Sequence, residues 1–133
     1  MGSPVVLFQI CAEDMDAMSA FYREVFGWRI EPSRLTSVDA EMRGIYPTIA
    51  SEEGGIAGGI TDRIPEKGGA VLVIEVDDVE ATLARVEQLG GRRRFPGTPP
   101  ERMRLTDADG VDVPFDWQEF EDPEGNLVGI IHR

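Results

Sequence analysis

Histidine and cysteine are almost missing from this chain. One histidine, His132, and one cysteine, Cys11, serve 133 residues. A single cysteine closes no intrachain disulfide and builds no thiolate metal cluster. A single histidine cannot supply the two or three imidazoles of the common transition-metal centres. Positive charge is scarce as well: 13 Lys and Arg stand against 25 Asp and Glu, a net charge of −12. Such a surface repels phosphate backbones and anionic lipid heads, which argues against nucleic acid and membrane as partners. It would favour a cationic small molecule, although solubility alone accounts for much of the acidity. No apolar run approaches the roughly 20 residues that span a bilayer. Val5 to Ala12 is short and has no basic segment before it, so it does not read as a signal peptide, and the cytoplasm is the expected location.

What the chain does have is a repeat. Asp14 to Gly27 opens on an acid, runs through an amphipathic stretch and stops at glycine; Asp78 to Gly91 does the same. Each follows an apolar segment, Val5 to Ala12 and Val71 to Val76. Gly55 to Ile60 echoes Gly125 to Ile130. The length suits one ordinary domain covering residues 1–133. The first copy is expected over about 4–61, a Pro- and Gly-containing linker over 62–69, and the second copy over about 70–133.

Val5 to Cys11 reads as a strand. Asp14 is a candidate N-cap, and Met18, Phe21, Tyr22, Val25 and Phe26 fall on one helical face that Gly27 ends. Trp28 to Glu31 reads as a short strand, and Pro32 to Gly44 as a loop or ragged edge. Ile45 to Ala50 and Gly55 to Thr61 form a strand pair. In the second copy Ala70 to Val76 is a strand, and Asp77 with Glu80 makes a capping arrangement. Val79, Leu83, Val86 and Leu89 are the buried stripe. A hairpin is expected around Asp109-Gly110, and strands over Pro114 to Glu121 and Leu127 to Ile131. The order is strand, helix, three strands, given twice. That predicts an α+β fold: two tandem βαβββ modules in a curled mixed sheet around a shared cavity, with the helices outside. Phe21, Tyr22, Phe26, Leu83 and Val86 are expected in the core.

These residues resemble the vicinal oxygen chelate superfamily, which includes glyoxalases, extradiol dioxygenases, fosfomycin-resistance enzymes and bleomycin-resistance proteins. The carriers are Phe21-Tyr22 and Phe26-Gly27, Gly58-Gly59, Val76-Asp77-Asp78-Val79 with Gly90-Gly91, and Asp122-Pro123-Glu124-Gly125-Asn126. The resemblance covers almost the whole chain. It implies four metal-ligand positions, two per copy, which fall here on Leu7, Gly59, Val71 and Gly129. None of these side chains can donate a lone pair to a metal. No metal and no cofactor are therefore expected. The family phasing puts Leu7, Gln9 and Cys11 on the concave face of one strand, and Val71, Val73 and Glu75 on that of its equivalent.

Glu75 is the candidate catalytic residue: an acid inside an apolar strand, whose pKa desolvation would raise. The competing reading places it at the strand end, reaching solvent or an arginine. Gln9, Cys11, Trp117 and Glu119 are the candidate ligand-binding residues. Gln9 can read an amide or carbonyl, Cys11 is chiefly a small hydrophobe, and Trp117 beside Glu119 suits a flat or cationic ligand. Each also has a plain structural reading as cavity wall, core or strand edge. Arg92 to Arg94 could bind an anion, but such a cluster more often forms a solvated loop face. Two functions follow as expectations. The chain binds a small organic molecule without the family's metal, in the manner of bleomycin-resistance proteins, as a homodimer. Alternatively it is a glyoxalase-related lyase, isomerase or dioxygenase.

Overall fold

A computed structural model of the chain describes residues 2–37, 43–52, 55–62, 69–97 and 100–133. The first copy contains β1 (Val5–Cys11), α1 (Met15–Phe26), β2 (Ile30–Ser37), β3 (Arg43–Ile49) and β4 (Ala57–Thr61). The second contains β5 (Ala70–Glu75), α2 (Val79–Gln88), a two-residue β6 (Arg92–Arg93), β7 (Glu101–Thr106), β8 (Asp112–Glu121) and β9 (Leu127–His132). Each copy orders its strands alike. In the first, β1 lies parallel to β4, then β3 and β2 follow antiparallel. In the second, β5 lies parallel to β9, then β8 and β7 follow antiparallel.

The copies join twice. β1 pairs antiparallel with β5, and β2 pairs antiparallel with β7. Eight strands thus close into a ring, with β6 appended to β8. Among the described residues, closure leaves no long strand edge free to recruit another chain. The curled α+β sheet of two βαβββ modules with outer helices is the architecture the repeat predicts.

Capping explains where the helices start. Asp14 Oδ1 accepts from the Ala17 amide, and Asp78 Oδ1 accepts from the Ala81 amide, both at 2.9 Å. The second cap is Asp78 and not Asp77, because Asp78 alone sits three residues before the first free N–H it can reach. Glu80, expected to complete a capping box, is drawn instead to Arg93. Gly27 ends α1 with φ 67°, a left-handed conformation that costs glycine nothing.

Among the described residues, three clusters of buried side chains form the core. α1 packs on the outer face of the first copy, where Ala12, Ile30, Ile49 and Ile60 are buried beneath Met15, Met18 and Tyr22. α2 packs on the outer face of the second copy through Val79 and Leu83, against Val76 and Ile130. Val73, Met103, Trp117 and Ile131 form an interior cluster, lined by Leu7, Leu35 and Phe115.

Three local expectations change. β2 runs from Ile30 to Ser37, through a stretch read as loop. Pairing with β3 on one side and β7 on the other overrides its weak propensity. Pro32 and Pro47 stand opposite each other across β2 and β3, a position that no amide of theirs need serve. Residues 38–42, in the middle of the expected loop, lie outside the described residues, as do 53–54 of the β3–β4 turn and 63–68 of the linker. Leu89, expected in the buried stripe of α2, is 63% exposed; Phe21 and Phe26 are not core either, at 55% and 59% exposed. Helical phase alone puts them near the packing face, but Met15, Met18, Ser19 and Tyr22 already cover the sheet beneath α1.

Candidate functional site

Alternation along the strands sets what enters the ring. Phe8 and Ile10 point out to α1, whereas Leu7 belongs to the interior cluster, so Gln9 and Cys11 share the inner side. On β5, Ile74 points out to α2 and Val73 points in, which carries Val71 and Glu75 inward. On β8, Phe120 points out and Trp117 points in, which carries Glu119 inward.

Gln9 lies opposite Gly59 on one neighbouring strand and Val71 on the other. Its amide is thus flanked by two of the four matched ligand positions. Cys11 stands opposite Thr61, which is buried. Glu119 is only 6% exposed and lies opposite Gly129. Cys11 and Glu119 come close enough to interact: burial raises the thiol's pKa first, and the Glu119 charge raises it further. A thiol held protonated in this way is a poor nucleophile, which agrees with the small-hydrophobe reading of Cys11.

Trp117 is buried within the interior cluster, and its ring lies over Gly129. A Cβ placed on Gly129 would fall 2.4 Å from Trp117 Cη2. The backbone of β9 therefore carries glycine here because the indole occupies the side-chain space. Gly59, the equivalent in the first copy, has no such cover; its nearest contact would be Pro47 O at 3.5 Å.

Glu75 stands apart from this cluster. β1 and β5 are antiparallel, so Glu75 lies beside the start of β1 and Cys11 at its end. Glu75 accepts from Arg133 Nε at 2.6 Å and Arg133 Nη2 at 3.0 Å. This hydrogen-bonded pair holds the carboxyl below its ordinary range, the reverse of the shift expected from desolvation. The arginine reading of Glu75 matches this arrangement. The neighbouring His132 closes the same corner, its Nδ1 lying 3.0 Å from Val76 O.

The inner wall also carries two hydroxyls that the sequence reading passed over. Ser33 Oγ and Thr48 Oγ1 lie 2.8 Å apart, and Ser33 is almost fully buried. β2 reads as loop from sequence, so no alternation pointed to Ser33.

Two cavities open on the outer surface near α2. One of about 550 Å³ is lined by Glu87, Gly91, Arg92, Arg93, Arg94, Pro96 and Glu121. Its arginines are paired, Arg93 with Glu80 and Glu87, Arg92 and Arg94 with Glu121. Arg93 ties α2 to β6, Arg92 and Arg94 hold Glu121 of β8, and the cluster is a solvent-facing surface whose charges are paired. The other, of about 450 Å³, lies between Ser3, Val76 and the Ala81–Leu89 side of α2.

The donor set does not suit the divalent metal that the resemblance implies. Among the described residues no three His, Cys, Asp or Glu side chains come together as a ligand group. Leu7, Gly59, Val71 and Gly129 offer no donor, and the Trp117 ring covers the last of them. Among the same residues no helix is long and apolar enough to cross a membrane.

Two βαβββ copies curled into one sheet, with helices outside and a mixed polar and aromatic interior, define the class to which this molecule belongs. Residues 5–130 match the Glyoxalase/Bleomycin resistance protein/Dioxygenase superfamily, and the chain belongs to it. A glyoxylase-like domain-containing protein of Didymella fabae is 30% identical over 130 residues, covering 94% of this chain and 90% of that protein. The Streptomyces coelicolor methylmalonyl-CoA epimerase, solved with 2-nitronate-propionyl-CoA, shares the fold at 18% identity and a TM-score of 0.57, covering 96% of this chain and 95% of that one. A superfamily member from Vibrio splendidus 12B01 does so at 14% identity and a TM-score of 0.53, over 99% of this chain and 100% of that one.

Proposed function

We propose that this protein binds a small organic molecule on the inner wall of the ring, beside Gln9, Cys11 and Glu119, without a divalent metal. The observation that carries this reading is Glu119, a carboxylate almost fully buried on the inward face of β8. A carboxylate in that position accepts hydrogen bonds strongly, so it favours a ligand that presents an amine or amide N–H. Gln9 supplies both a donor and an acceptor alongside. Trp117 and the interior cluster supply an apolar wall for the ligand's body. The ligand is therefore amphiphilic, with a donor-bearing or cationic head. In this reading the chain works in the cytoplasm, where its unpaired thiol stays reduced, and its partners are that ligand and a second copy of itself.

A thermal-shift and calorimetric screen of small amines and amides tests the reading. A saturable hit that Glu119→Gln weakens at least tenfold supports it. Hits bound equally well by Glu119→Gln would overturn it.

The same carboxylate favours a second reading, a metal-free isomerase or lyase. A carboxylate shielded from water can take a proton from a carbon acid and return it. The epimerase fold neighbour gives this reading a class of reaction to try. Glu75 is poorly suited to the step, since its Arg133 pair lowers its basicity. Solvent deuterium uptake at the carbon next to the carbonyl of simple acyl thioesters measures the step. Uptake that Glu119→Gln abolishes and Glu75→Gln leaves intact supports it; uptake absent from the wild type sinks it.

A further inference from the structure

The arginines of this chain are not spread evenly. Arg92, Arg93 and Arg94 follow one another, and all three line the cavity of about 550 Å³ beside α2. Glu87 and Glu121 are the acids of that lining, so three positive charges face two negative ones. This local surplus of positive charge runs against the chain's net charge of −12.

The three side chains have different tasks. Arg93 Nη1 and Nη2 donate to Glu80 at 2.9 and 2.6 Å, and its Nε donates to Glu87 at 2.6 Å. All its nitrogens are engaged, and it fastens β6 to α2. Alternation along the strand turns Arg92 and Arg94 the other way. They share Glu121: Arg92 Nη2 donates to Oε2, and Arg94 Nη1 donates to Oε1 at 3.3 Å. Two guanidinium groups thus converge on one carboxylate. Among the described residues each commits a single nitrogen to it, and the rest of each fork stays available. The side chains of Arg92 and Arg94 are 75% and 36% exposed, whereas that of Glu121 is 19% exposed. The cations face solvent, and the carboxylate that orders them lies beneath.

The backbone fixes this pair. Arg92 stands opposite Glu121 and Arg93 opposite Phe120, and Arg94 N donates to Glu119 O at 3.0 Å. Gly91 lets the strand begin close against α2: a Cβ there would fall 2.5 Å from Val86 Cγ1 and 2.8 Å from Glu121 O. The Arg94 guanidinium lies over the Phe95 ring, 5.9 Å from its centroid. Donors held in place before a ligand arrives lose less entropy when it binds.

We propose that Arg92 and Arg94 bind the phosphate group of a small, polar phosphate monoester. Guanidinium forks match phosphate oxygens in bidentate pairs, and a tetrahedral dianion has oxygens enough to bridge two forks. The charge also fits, because two arginines on one carboxylate leave a positive charge uncompensated. The cavity has the volume of a small-molecule site. Only Gly91 and Pro96 of its lining are uncharged, so the body of the ligand is polar and not aliphatic or aromatic. A polyanion is disfavoured, since the acidic chain repels each phosphate beyond the first. This site lies outside the ring and does not depend on the reading of Glu119.

Titration of the full chain with glycerol phosphate at fixed ionic strength tests the proposal, read by calorimetry and by the arginine Nε–H resonances. The result expected is saturable binding that shifts the Arg92 and Arg94 resonances. Arg92→Gln and Arg94→Gln should each weaken it about tenfold. Glu121→Gln should tighten it, because a competing carboxylate is gone. Arg102→Gln, which removes an arginine paired with Asp116 on the opposite side of β8, should leave it unchanged. Inorganic phosphate should bind more weakly than the ester. Circular dichroism confirms that each variant is folded. No saturable binding by the wild type overturns the proposal. Binding acquired only by Glu121→Gln overturns it as well, since the native carboxylate would then close the site. Binding that Arg92→Gln and Arg94→Gln leave intact has the same consequence. Equal binding of inorganic phosphate and the ester would overturn the assignment of a monoester.

Discussion

The two copies share a scaffold and divide the chemistry. Their N-caps, Asp14 and Asp78, are superposable in the repeat, and position five after each cap is buried in both: Ser19 in α1 and Leu83 in α2. Leu83 is completely buried and reaches the core of the second copy. Ser19 instead turns its hydroxyl back to Met15 O at 2.7 Å, and aromatic rings around Tyr22 and Trp28 do the packing. The inner wall differs in the same way. Thr48 faces Gly59 in the first copy, whereas Glu119 faces Gly129 in the second. The second copy is the tightly packed half that contributes the carboxylate and the indole. The first contributes Gln9, Cys11, the hydroxyls and an apolar outer face. A repeat thus preserves backbone geometry while each half is free to lose or gain function.

The largest expected effect is on packing. Leu83→Ala should cost about 3 kcal/mol in chemical denaturation, because it empties a fully buried site. Ser19→Ala, at the equivalent place, should cost under about 1 kcal/mol, since only a local hydroxyl bond is lost. Equal costs would remove the distinction between the halves.

Glycine gives the next contrast. Gly129→Ala forces the Trp117 ring to move and should destabilise by about 1–3 kcal/mol. Gly59→Ala meets nothing closer than 3.5 Å and should be nearly neutral. Comparison of their denaturation midpoints decides the point.

The smallest effect is at the Glu75–Arg133 corner. The pair lowers the folded pKa of Glu75, so its stabilisation is present above the unfolded value near 4.3 and disappears as pH falls through the folded value. Much of the pair faces solvent, which limits the gain to about 0.5 kcal/mol. Glu75→Gln should flatten the acid limb of the stability–pH curve by that much. An unchanged limb would mean that the pair is not formed in solution.

Much of this fold is legible in the sequence. The helices announce themselves through Asp14, Gly27 and the apolar spacing between them, and the β8–β9 turn through Asp122 to Asn126. The inward phase of Gln9, Cys11, Trp117 and Glu119 follows from alternation once the fold is assumed. The rest depends on partners far along the chain. β2 is a strand because β3 and β7 flank it, not because Pro32 to Ser37 favour extension. Glu75 is tied down by Arg133, 58 residues away. Phe21 and Phe26 fit a helical period, but whether a ring on that period is covered depends on the width of the sheet beneath it.

Alkylation of Cys11 tests the central claim most directly, because the thiol sits beside Glu119 within the proposed site. Iodoacetamide modification is followed by mass spectrometry across pH, with and without a saturating screening hit. The account predicts slow modification that the ligand slows further. In Glu119→Gln the thiol should react at lower pH, since one cause of its raised pKa is removed, and the ligand should no longer protect it. A saturating ligand that leaves the Cys11 rate unchanged, with Glu119→Gln behaving like the wild type, would contradict the account.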